Sequence, residues 1–327
     1  MNNFCRAITN AQKIAIFSHI SPDADALCSS FALKNIIKNN FDDKHVDVFV
    51  DGEIGALYEP IVHDEVINPK PYNQYDMAFI LDCPNLSRIG KYQELVSNVP
   101  QIINIDHHET NSRFGTTNLV VPKLSSTCEM IYLMAKAQNF KLNGTIAKQL
   151  YQGIITDTNC FTSLYLSKKT HHVISELMEY SFDHDAIKEY YFKNNSKAKT
   201  KLLSKALQSL KFFKGQKVTL MKICNETFER LGASFEDTLG IIDNGINING
   251  TEVCAILIEK APNNIYCSLR SKGNVNVGEI AQNFGGGGSL KLAAFQIIGD
   301  IKEIEKNIVD AMCGKLPTQL VEKEMIF

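Results

Sequence analysis

The 327-residue sequence has no excess of either charge and no apolar run near the ~20 residues needed to span a bilayer. Lys plus Arg number 34 and Asp plus Glu number 36, so the formal charge is −2. This balance excludes a basic surface broad enough for duplex nucleic acid, but a nucleotide or short single strand could still bind in a local pocket. The first nine residues contain no apolar segment of the signal-peptide type, which predicts a protein that is not exported.

Paired cysteine motifs are also missing. Nine cysteines are scattered along the chain, none of them in a CxxC pair, and some lie inside apolar stretches, as Cys254 does in VCAILI. This pattern excludes a disulfide framework and a zinc ribbon. It is typical of small core residues in a reducing compartment, so we expect a cytoplasmic protein.

The length and the hydrophobic fraction of 44% indicate a globular protein of about two domains. Short apolar runs alternate with helical patterns over residues 1–183, whereas residues 184–215 are lysine-rich and compatible with a helix. Strand and helix patterns restart after residue 215. We therefore predict an α/β fold with an N-terminal parallel-sheet domain (1–183), a helical linker (184–215) and a smaller C-terminal α/β domain (216–327).

Four apolar runs in the first half are predicted strands, at residues 13–18, 46–50, 77–81 and 102–105, and residues 126–138 and 145–155 are predicted helices. Strands that are apolar on both faces and alternate with helices predict a parallel sheet covered on both sides. Ligands of such sheets bind beyond the carboxyl ends of the strands. Residues that carry chemistry are therefore expected directly after each strand.

Four polar clusters occur at such positions, which we interpret as strand ends that converge on one rim of the sheet. They consist of His19, Asp23 and Asp25; of Asp82; of Asp106, His107 and His108; and of Asp157 after residues 151–156. Taken singly, an aspartate after a strand is more often a helix cap or turn residue, and an adjacent histidine pair, such as His171–His172, is more often a solvated face. The functional interpretation rests on the four clusters together.

Carboxylates and imidazoles gathered at one place predict bound metal. Without cations the carboxylates would repel one another and raise each other's pKa, a cost that divalent ions remove. The mixed ligand set favours Mn²⁺, Fe²⁺, Zn²⁺ or Co²⁺ over Ca²⁺ or Mg²⁺ alone. Six or more ligands are too many for one catalytic ion, but they suit two ions about 3.5–4 Å apart that activate a water against a phosphoryl group.

The segments HISPDADALCSS, ILDCPNLSRIG, NIDHHETN and ITDTNCF resemble the four motifs of the DHH phosphoesterase superfamily, which is named for its Asp-His-His triplet. LRSKGNVNVGEIAQNFGGGGSLKLAAF resembles the associated substrate-binding domain, and the resemblance extends over about residues 10 to 315. It is strongest to small two-domain nano-RNases that also act as phosphatases on 3′-phosphoadenosine 5′-phosphate (pAp). The resemblance implies a dimeric hydrolase that prefers Mn²⁺ and acts on short oligoribonucleotides, dinucleotides such as pApA, and pAp.

The resemblance also implies a role for each clustered residue. The implied metal ligands are His19 and Asp23 for the first ion, Asp25, His107 and Asp157 for the second, and Asp82 as the bridge between them. His108 would face the scissile phosphate as a charge-stabilising donor or acid. Asp106 would orient an imidazole through its other ring nitrogen.

The C-terminal domain would supply the substrate contacts, which are Arg270, Gly285, Gly286, Gly287, Gly288 and Ser289. A guanidinium suits bidentate phosphate binding, and glycines let backbone N–H groups approach a phosphate or sugar. Considered alone, the arginine indicates a surface ion pair and the glycine run a flexible turn. The family usually has histidine where Ser289 stands and glycine where Phe295 follows the alanine pair. Serine still donates a hydrogen bond, so we expect an altered substrate preference without loss of catalysis.

Other activities are compatible with some of these motifs. A cyclic di-AMP phosphodiesterase shares the same motifs. A pyrophosphatase or polyphosphatase would have a lysine- and arginine-rich second domain, and a processive exonuclease of the RecJ type would have additional domains. A catalytically silent nucleotide sensor is favoured only by Ser289. We expect a homodimer that binds short RNA or nucleotides and neither duplex nucleic acid nor a membrane.

Overall fold

The computed structural model describes residues 3–162 and 166–316. The chain divides into two compact units that meet in sequence between Asn194 and Asn195. Within the described residues, no helix combines the length and apolar character required to cross a bilayer.

The first unit contains helices and strands in alternation. Its helices are α1 (Asn3–Asn10), α2 (Ala24–Asn40), α3 (Glu59–Val62), α4 (Gln93–Ser97), α5 (Thr127–Ala137), α6 (Gly144–Asp157), α7 (Lys168–Leu177) and α8 (His184–Phe192). Its strands are β1 (Lys13–Phe17), β2 (His45–Phe49), β3 (Met77–Leu81), β4 (Ile102–Asp106) and β5 (Thr117–Val120). Short 3₁₀ turns occupy Ala56–Tyr58 and Leu86–Tyr92.

The strands of this unit form one sheet in the order β2-β1-β3-β4-β5, and every adjacent pair is parallel. Ile16 of β1 lies between Val48 and Phe79 in the register. The predicted parallel sheet is thus confirmed. Strand β5 was not predicted, because this edge strand has no fully buried residue and hence lacks the continuous apolar run of the central strands.

Both faces of the sheet are covered, as the apolar runs indicated. Ile14 and Ile16 belong to a core built with α2, α5 and α6, in which Leu27 and Phe31 are fully buried. Phe17 and Ile80 point to the opposite face and pack in a smaller core. This two-sided burial leaves the strand ends as the places where polar side chains can gather.

The second unit is a mixed α/β domain. Its helices are α9 (Lys197–Gln208), α10 (Asn225–Leu231), α11 (Ile241–Ile246), α12 (Val277–Asn283) and α13 (Ile301–Lys315), with a 3₁₀ turn at Phe235–Thr238. Its strands are β6 (Lys211–Phe213), β7 (Val218–Ile223), β8 (Val253–Ala261), β9 (Asn264–Ser271), β10 (Gly287–Gly288) and β11 (Leu292–Ile298). The sheet order is β10-β11-β9-β8-β7-β6, in which β7 and β8 are parallel and the other neighbours antiparallel.

Residues 184–215, predicted as a helical linker, contain the two helices α8 and α9 and the short strand β6. Ile187 of α8 is buried in the core of the first unit, and Leu202 and Ala206 of α9 are buried in a core of the second. The lysine-rich composition reflects the outer faces of these helices, while their apolar residues pack inward. The structure therefore differs from the prediction in dividing this segment between the two units.

The cysteines provide a test of the described packing. All nine are free, and all of them lie in the described ranges. Cys254 is fully buried and burial raises the pKa of its thiol to about 12, whereas Cys224 is exposed. Because the thiolate is the reactive form, iodoacetamide at pH 8 should modify Cys224 in the folded protein and Cys254 only after unfolding. Peptide mass spectrometry measures both rates, and equal labelling of the two cysteines would contradict this fold.

Candidate metal centre

The loop between β1 and α2 holds the first part of the centre. Asp23 is the N-cap of α2, and its Oδ1 accepts a hydrogen bond from the Ala26 N–H at 3.0 Å. Its other oxygen, Oδ2, lies 3.9 Å from Nε2 of His19. Nδ1 of His19 faces the Ile20 carbonyl at 3.0 Å, so Nε2 is the ring nitrogen directed at the carboxylates. Asp23 is therefore both a helix cap and a candidate metal ligand.

Asp82 lies directly after β3 and is 2% exposed. Its Oδ2 is 3.7 Å from Nε2 of His19, and its Oδ1 is 3.5 Å from Nε2 of His107. The φ of Asp82 is 53°, a left-handed conformation that costs on the order of 1 kcal/mol and is best tolerated by Asn, Asp and Gly. Asp82 thus stands between two imidazoles in a strained conformation of the kind found at functional sites.

Asp25 is buried in the first turn of α2. Its Oδ2 accepts the Thr127 N–H at 2.7 Å and its Oδ1 the Cys128 N–H at 3.0 Å, both at the start of α5. Burial, and then the charge of Asp82, raise the pKa of Asp25 to about 7. A divalent cation beside this carboxyl group would remove that cost of ionisation.

Asp157 is the last residue of helix α6, so the helix predicted over residues 145–155 is confirmed. The grouping of Asp157 with the strand ends is wrong, because its side chain comes from the end of this helix and not from the end of a strand. The side chain nevertheless reaches the cluster, with Oδ2 3.6 Å from Nε2 of His107. Burial raises the pKa of Asp157, as it does for Asp25.

Gly153, one turn before Asp157, was missed in the sequence analysis. A Cβ at this position would overlap the sulfur of Cys128 and lie 2.9 Å from Oδ1 of Asp25. Only glycine therefore lets α6 pack this closely beside α2 and α5. The isolated glycine in an otherwise helical pattern was the signal that could have identified this contact.

The Asp-His-His triplet begins at Asp106, the last residue of β4. Asp106 is fully buried, and its Oδ1 is 2.7 Å from Nδ1 of His108. Its Oδ2 accepts a hydrogen bond from Nδ2 of Asn111 at 2.6 Å. Nδ1 of His107 faces the Leu124 carbonyl instead, at 3.3 Å. Asp106 thus orients His108, while His107 directs its Nε2 toward Asp82 and Asp157.

Asn104 and Asn111, which support Asp106, were also missed. Nδ2 of Asn111 is within 2.8 Å of Oδ1 of Asn104, and Asn104 donates to the carbonyls of Ile80 and Cys83. Asn104 is fully buried in the middle of β4. A polar residue in an otherwise apolar strand was the available signal, because buried amides need hydrogen-bond partners.

The charges within the cluster partly neutralise one another. Burial alone would lower the pKa of His107, but Asp82, Asp157 and Asp25 hold that pKa well above its usual value. For Asp82 the directions are reversed. Burial alone would raise its pKa, but His107 and the neighbouring imidazoles hold that pKa below the usual range. These opposed shifts are what a set of metal ligands shows when it must balance its own charge.

Donor atoms of the cluster come close enough to share ions. In the described part of the chain, three sets have one donor atom per residue within 4.8 Å of the others, namely His19, Asp23 and Asp82; Asp25, His107 and Asp157; and Asp82, His107 and His108. The first two sets match the ligands implied for two separate ions, and the position of Asp82 between them fits a bridging carboxylate. Carboxylate and imidazole donors suit first-row divalent metals.

The predicted substrate-contact residues lie in the second unit. Nη1 of Arg270 on β9 donates to Oγ of Ser268 and to the Leu269 carbonyl, both at 3.1 Å. Its Nε is 3.7 Å from Oδ1 of Asp243, so the ion pair considered from sequence is present. The Ser289 N–H donates to the Leu292 carbonyl at 2.7 Å, and Oγ of Ser289 also faces that turn.

The glycine run has a packing role that the sequence did not reveal. Gly287 and Gly288 form β10, which pairs with Ala294 and Ala293 of β11. A Cβ on Gly286 would overlap the backbone of Ala294, and one on Gly288 the Leu292 carbonyl. Phe295, which stands where the family has glycine, is buried and stacks on Phe284 at 4.7 Å.

Two adjacent glycines of this run should respond differently to substitution. We expect Gly286→Ala to lower the free energy of unfolding by about 1–3 kcal/mol, because a backbone strand must shift to admit the methyl group. Gly287→Ala is the matched control, since nothing lies within 4 Å of its added Cβ, and it should change stability by less than about 1 kcal/mol. Urea unfolding measures both variants. Equal destabilisation would contradict the close approach of β10 to β11.

The comparisons with known proteins agree with the fold and define a hydrolase of the phosphoesterase class. Residues 13–154 match the DHH family N-terminal domain, and residues 215–315 match the DHHA1 domain. The chain belongs to the DHH family.

Among its relatives, the "Probable bifunctional oligoribonuclease and PAP phosphatase NrnA" of Streptococcus mutans is 30% identical over 275 residues, which cover 84% of this chain and 86% of that protein. The "Bifunctional oligoribonuclease and PAP phosphatase NrnA" of Mycoplasma genitalium is 29% identical, covering 94% of this chain and 95% of its own. The crystal structure of an exopolyphosphatase-related protein from Bacteroides fragilis superposes with a TM-score of 0.88 at 26% identity, covering 95% of this chain and 94% of that one.

Proposed function

We propose that this protein hydrolyses short oligoribonucleotides, dinucleotides such as pApA, and pAp, with two divalent ions held in the first unit. The observation that carries the proposal is the buried Asp82, whose two oxygens face two different imidazoles at 3.7 and 3.5 Å. The names of the two oligoribonuclease and PAP phosphatase relatives support the substrate class.

Residues of the first unit are proposed to bind the two ions. His19 and Asp23 would hold one ion, Asp25, His107 and Asp157 the other, and Asp82 would touch both. When bound, such an ion pair activates water as a nucleophile and neutralises charge on phosphoryl oxygens. The family resemblance, together with the mixed carboxylate and imidazole donors, supports Mn²⁺ as the native ion.

His108 is proposed to act on the substrate itself. Its side chain is 41% exposed, and Asp106 occupies its Nδ1, which leaves Nε2 available to a phosphate oxygen or leaving group. Burial would lower the pKa of His108, but Asp106 and Asp82 raise it, which favours the protonated ring. Because Asp106 accepts the Nδ1–H, only the protonated ring also carries an Nε2–H that can donate a hydrogen bond or a proton to a phosphate ester.

The second unit is proposed to select the substrate. Arg270 keeps a partly exposed guanidinium, which suits a phosphate of the substrate. Oγ of Ser289 lies 3.3–3.4 Å from the backbone N–H groups of Lys291 and Leu292, so it is shared with its own turn. We therefore propose that this chain lacks the contact a histidine would make there and has a shifted preference among short nucleotides.

The proposal also covers the oligomeric state of the protein and its cellular compartment. We propose a homodimer in the cytoplasm that does not bind duplex nucleic acid or membranes. The nine free cysteines support a reducing compartment, the near-zero net charge supports short substrates, and the family resemblance supports dimerisation. Sedimentation velocity on the purified protein tests the dimer, and a single species of monomer mass would contradict it.

A substrate panel tests the activity. Purified protein in Mn²⁺ is assayed against pAp, pApA, a five-nucleotide RNA, cyclic di-AMP and pyrophosphate, with Asp82→Asn as the inactive control. We expect hydrolysis of the RNA, the dinucleotide and pAp, and none in the variant. Turnover of pyrophosphate alone, or of no compound while Mn²⁺ is bound, would contradict the proposal. Cyclic di-AMP as the one substrate cleaved would assign the chain to second-messenger degradation.

A further inference from the structure

Thr127 contacts ligands from both halves of the metal centre. It is the first residue of α5 and is fully buried. Its backbone N–H donates to Oδ2 of Asp25 at 2.7 Å, and its hydroxyl donates to Oδ1 of Asp82 at 3.1 Å.

The hydroxyl contact bears on how Asp82 is rotated. The final torsion of an aspartate side chain has a broad energy minimum, so its orientation must be fixed by outside contacts. A carboxylate can place one oxygen on each of two ions or both oxygens on one. The Thr127 hydroxyl holds Oδ1 on the side of His107, which leaves Oδ2 on the side of His19.

The donor itself is held firmly. Ser126 caps α5 by accepting the Glu129 N–H at 3.0 Å. The buried Glu129 carboxylate in turn accepts the N–H and hydroxyl of Ser125 and the hydroxyl of Thr170 on α7. The start of α5 is therefore a hydrogen-bonded, solvent-excluded platform, and such supports are what keep metal ligands in place.

We propose that Thr127 is a positioning residue that sets Asp82 as the bridge between the two ions. The inference rests on the proposed function in that it requires two ions. Without the hydroxyl, Asp82 loses the hydrogen bond that holds Oδ1 in place, while the backbone contact to Asp25 stays. Removing the hydroxyl should therefore weaken the binding of the second ion beside the first more than the binding of the first ion.

The test uses Thr127→Val, which keeps the side-chain shape and the backbone N–H, and Thr127→Ser, which restores the hydroxyl. Thr219→Val is the matched control, because Thr219 is also a fully buried threonine whose hydroxyl donates to a carbonyl, but it lies on β7 of the second unit. Each protein is titrated with Mn²⁺ by calorimetry and examined by electron paramagnetic resonance, where two neighbouring Mn²⁺ ions give an exchange-coupled spectrum and isolated ions a six-line spectrum.

We expect the wild type, Thr127→Ser and Thr219→Val to give the coupled spectrum. Thr127→Val should bind the second ion about 10- to 100-fold more weakly and show a reduced coupled spectrum, with kcat reduced by a similar factor. An unchanged spectrum and affinity in Thr127→Val would overturn the proposal. If Thr127→Val fails to fold, Thr127→Ala serves in its place and is judged by the same criteria.

The spectrum separates failure of this inference from failure of the proposed function. Wild-type protein that shows coupled Mn²⁺ but hydrolyses none of the nucleotides would contradict the proposed substrates, and the Thr127 comparison would still be decided by the spectra. Wild-type protein that binds one Mn²⁺ at saturation would overturn both the dinuclear centre and the role of Thr127.

Discussion

Asp82→Asn is expected to lower turnover of every phosphate ester substrate at least about a thousandfold. Among the described residues, Asp82 is the one carboxylate that presents an oxygen to each imidazole-bearing half of the centre. An amide keeps the size of the side chain and tolerates its left-handed φ of 53°, so the fold should be retained. Initial rates in saturating Mn²⁺ measure the loss, and circular dichroism checks the fold.

The same strand provides a matched control. Asp76 precedes β3 at its amino end, where Oδ2 accepts the N–H groups of Gln12 and Lys13 at 2.8 Å each. Asp76→Asn should keep nearly full activity, because this carboxylate lies at the opposite end of β3 from Asp82. Mn²⁺ should also raise the melting temperature of the wild type and of Asp76→Asn more than that of Asp82→Asn, since ligand binding stabilises the folded state. Asp82→Asn activity within tenfold of the wild type would show that Asp82 is not the bridge.

The second large effect is expected for Asp106→Asn. The carboxylate of Asp106 accepts from Nδ1 of His108 on one side and from Asn111 on the other. An amide has one accepting oxygen, so its NH₂ group faces either His108 or Asn111. In the first case His108 loses its partner and its tautomer, and in the second the displaced Asn111 no longer supports the group that orients His108. By comparison with other histidines oriented by a carboxylate, kcat should fall about 10²- to 10⁴-fold.

The affinity for Mn²⁺ distinguishes Asp106→Asn from Asp82→Asn. Asp106 belongs to none of the three candidate donor sets in the described chain, so Asp106→Asn should bind two Mn²⁺ with nearly wild-type affinity. A calorimetric titration next to the rate measurement provides this comparison. Loss of Mn²⁺ binding would instead make Asp106 part of the metal site, and unchanged kcat would show that His108 needs no orienting partner.

The parallel sheet and most of the candidate site were predictable because they follow from local patterns. Continuous apolar runs identified β1, β3 and β4, and polar residues directly after them identified the clusters at Asp82 and at Asp106. Asp157 was recognised by its residue type and motif, and the helix before it was predicted, but Asp157 was wrongly grouped with the strand ends.

The supporting contacts could not be predicted from the sequence because they join distant parts of the chain. Thr127 donates to Asp25, which lies 102 residues earlier, and nothing near either residue indicates that pairing. The glycine run could be predicted as a ligand-binding loop from its composition, but its packing role could not. Gly286 must be glycine because the backbone of β11 lies against it, and the sequence pattern does not show that the two segments are neighbours.

Every residue of the candidate metal centre lies between His19 and Asp157, in the first half of the chain. A chain is synthesised from its N-terminus, and domains generally fold as units in that order. All the ligands have therefore left the ribosome before the second unit has been translated. Metal could therefore bind to the first unit and stabilise it while the second unit, which we propose selects the substrate, is still being made.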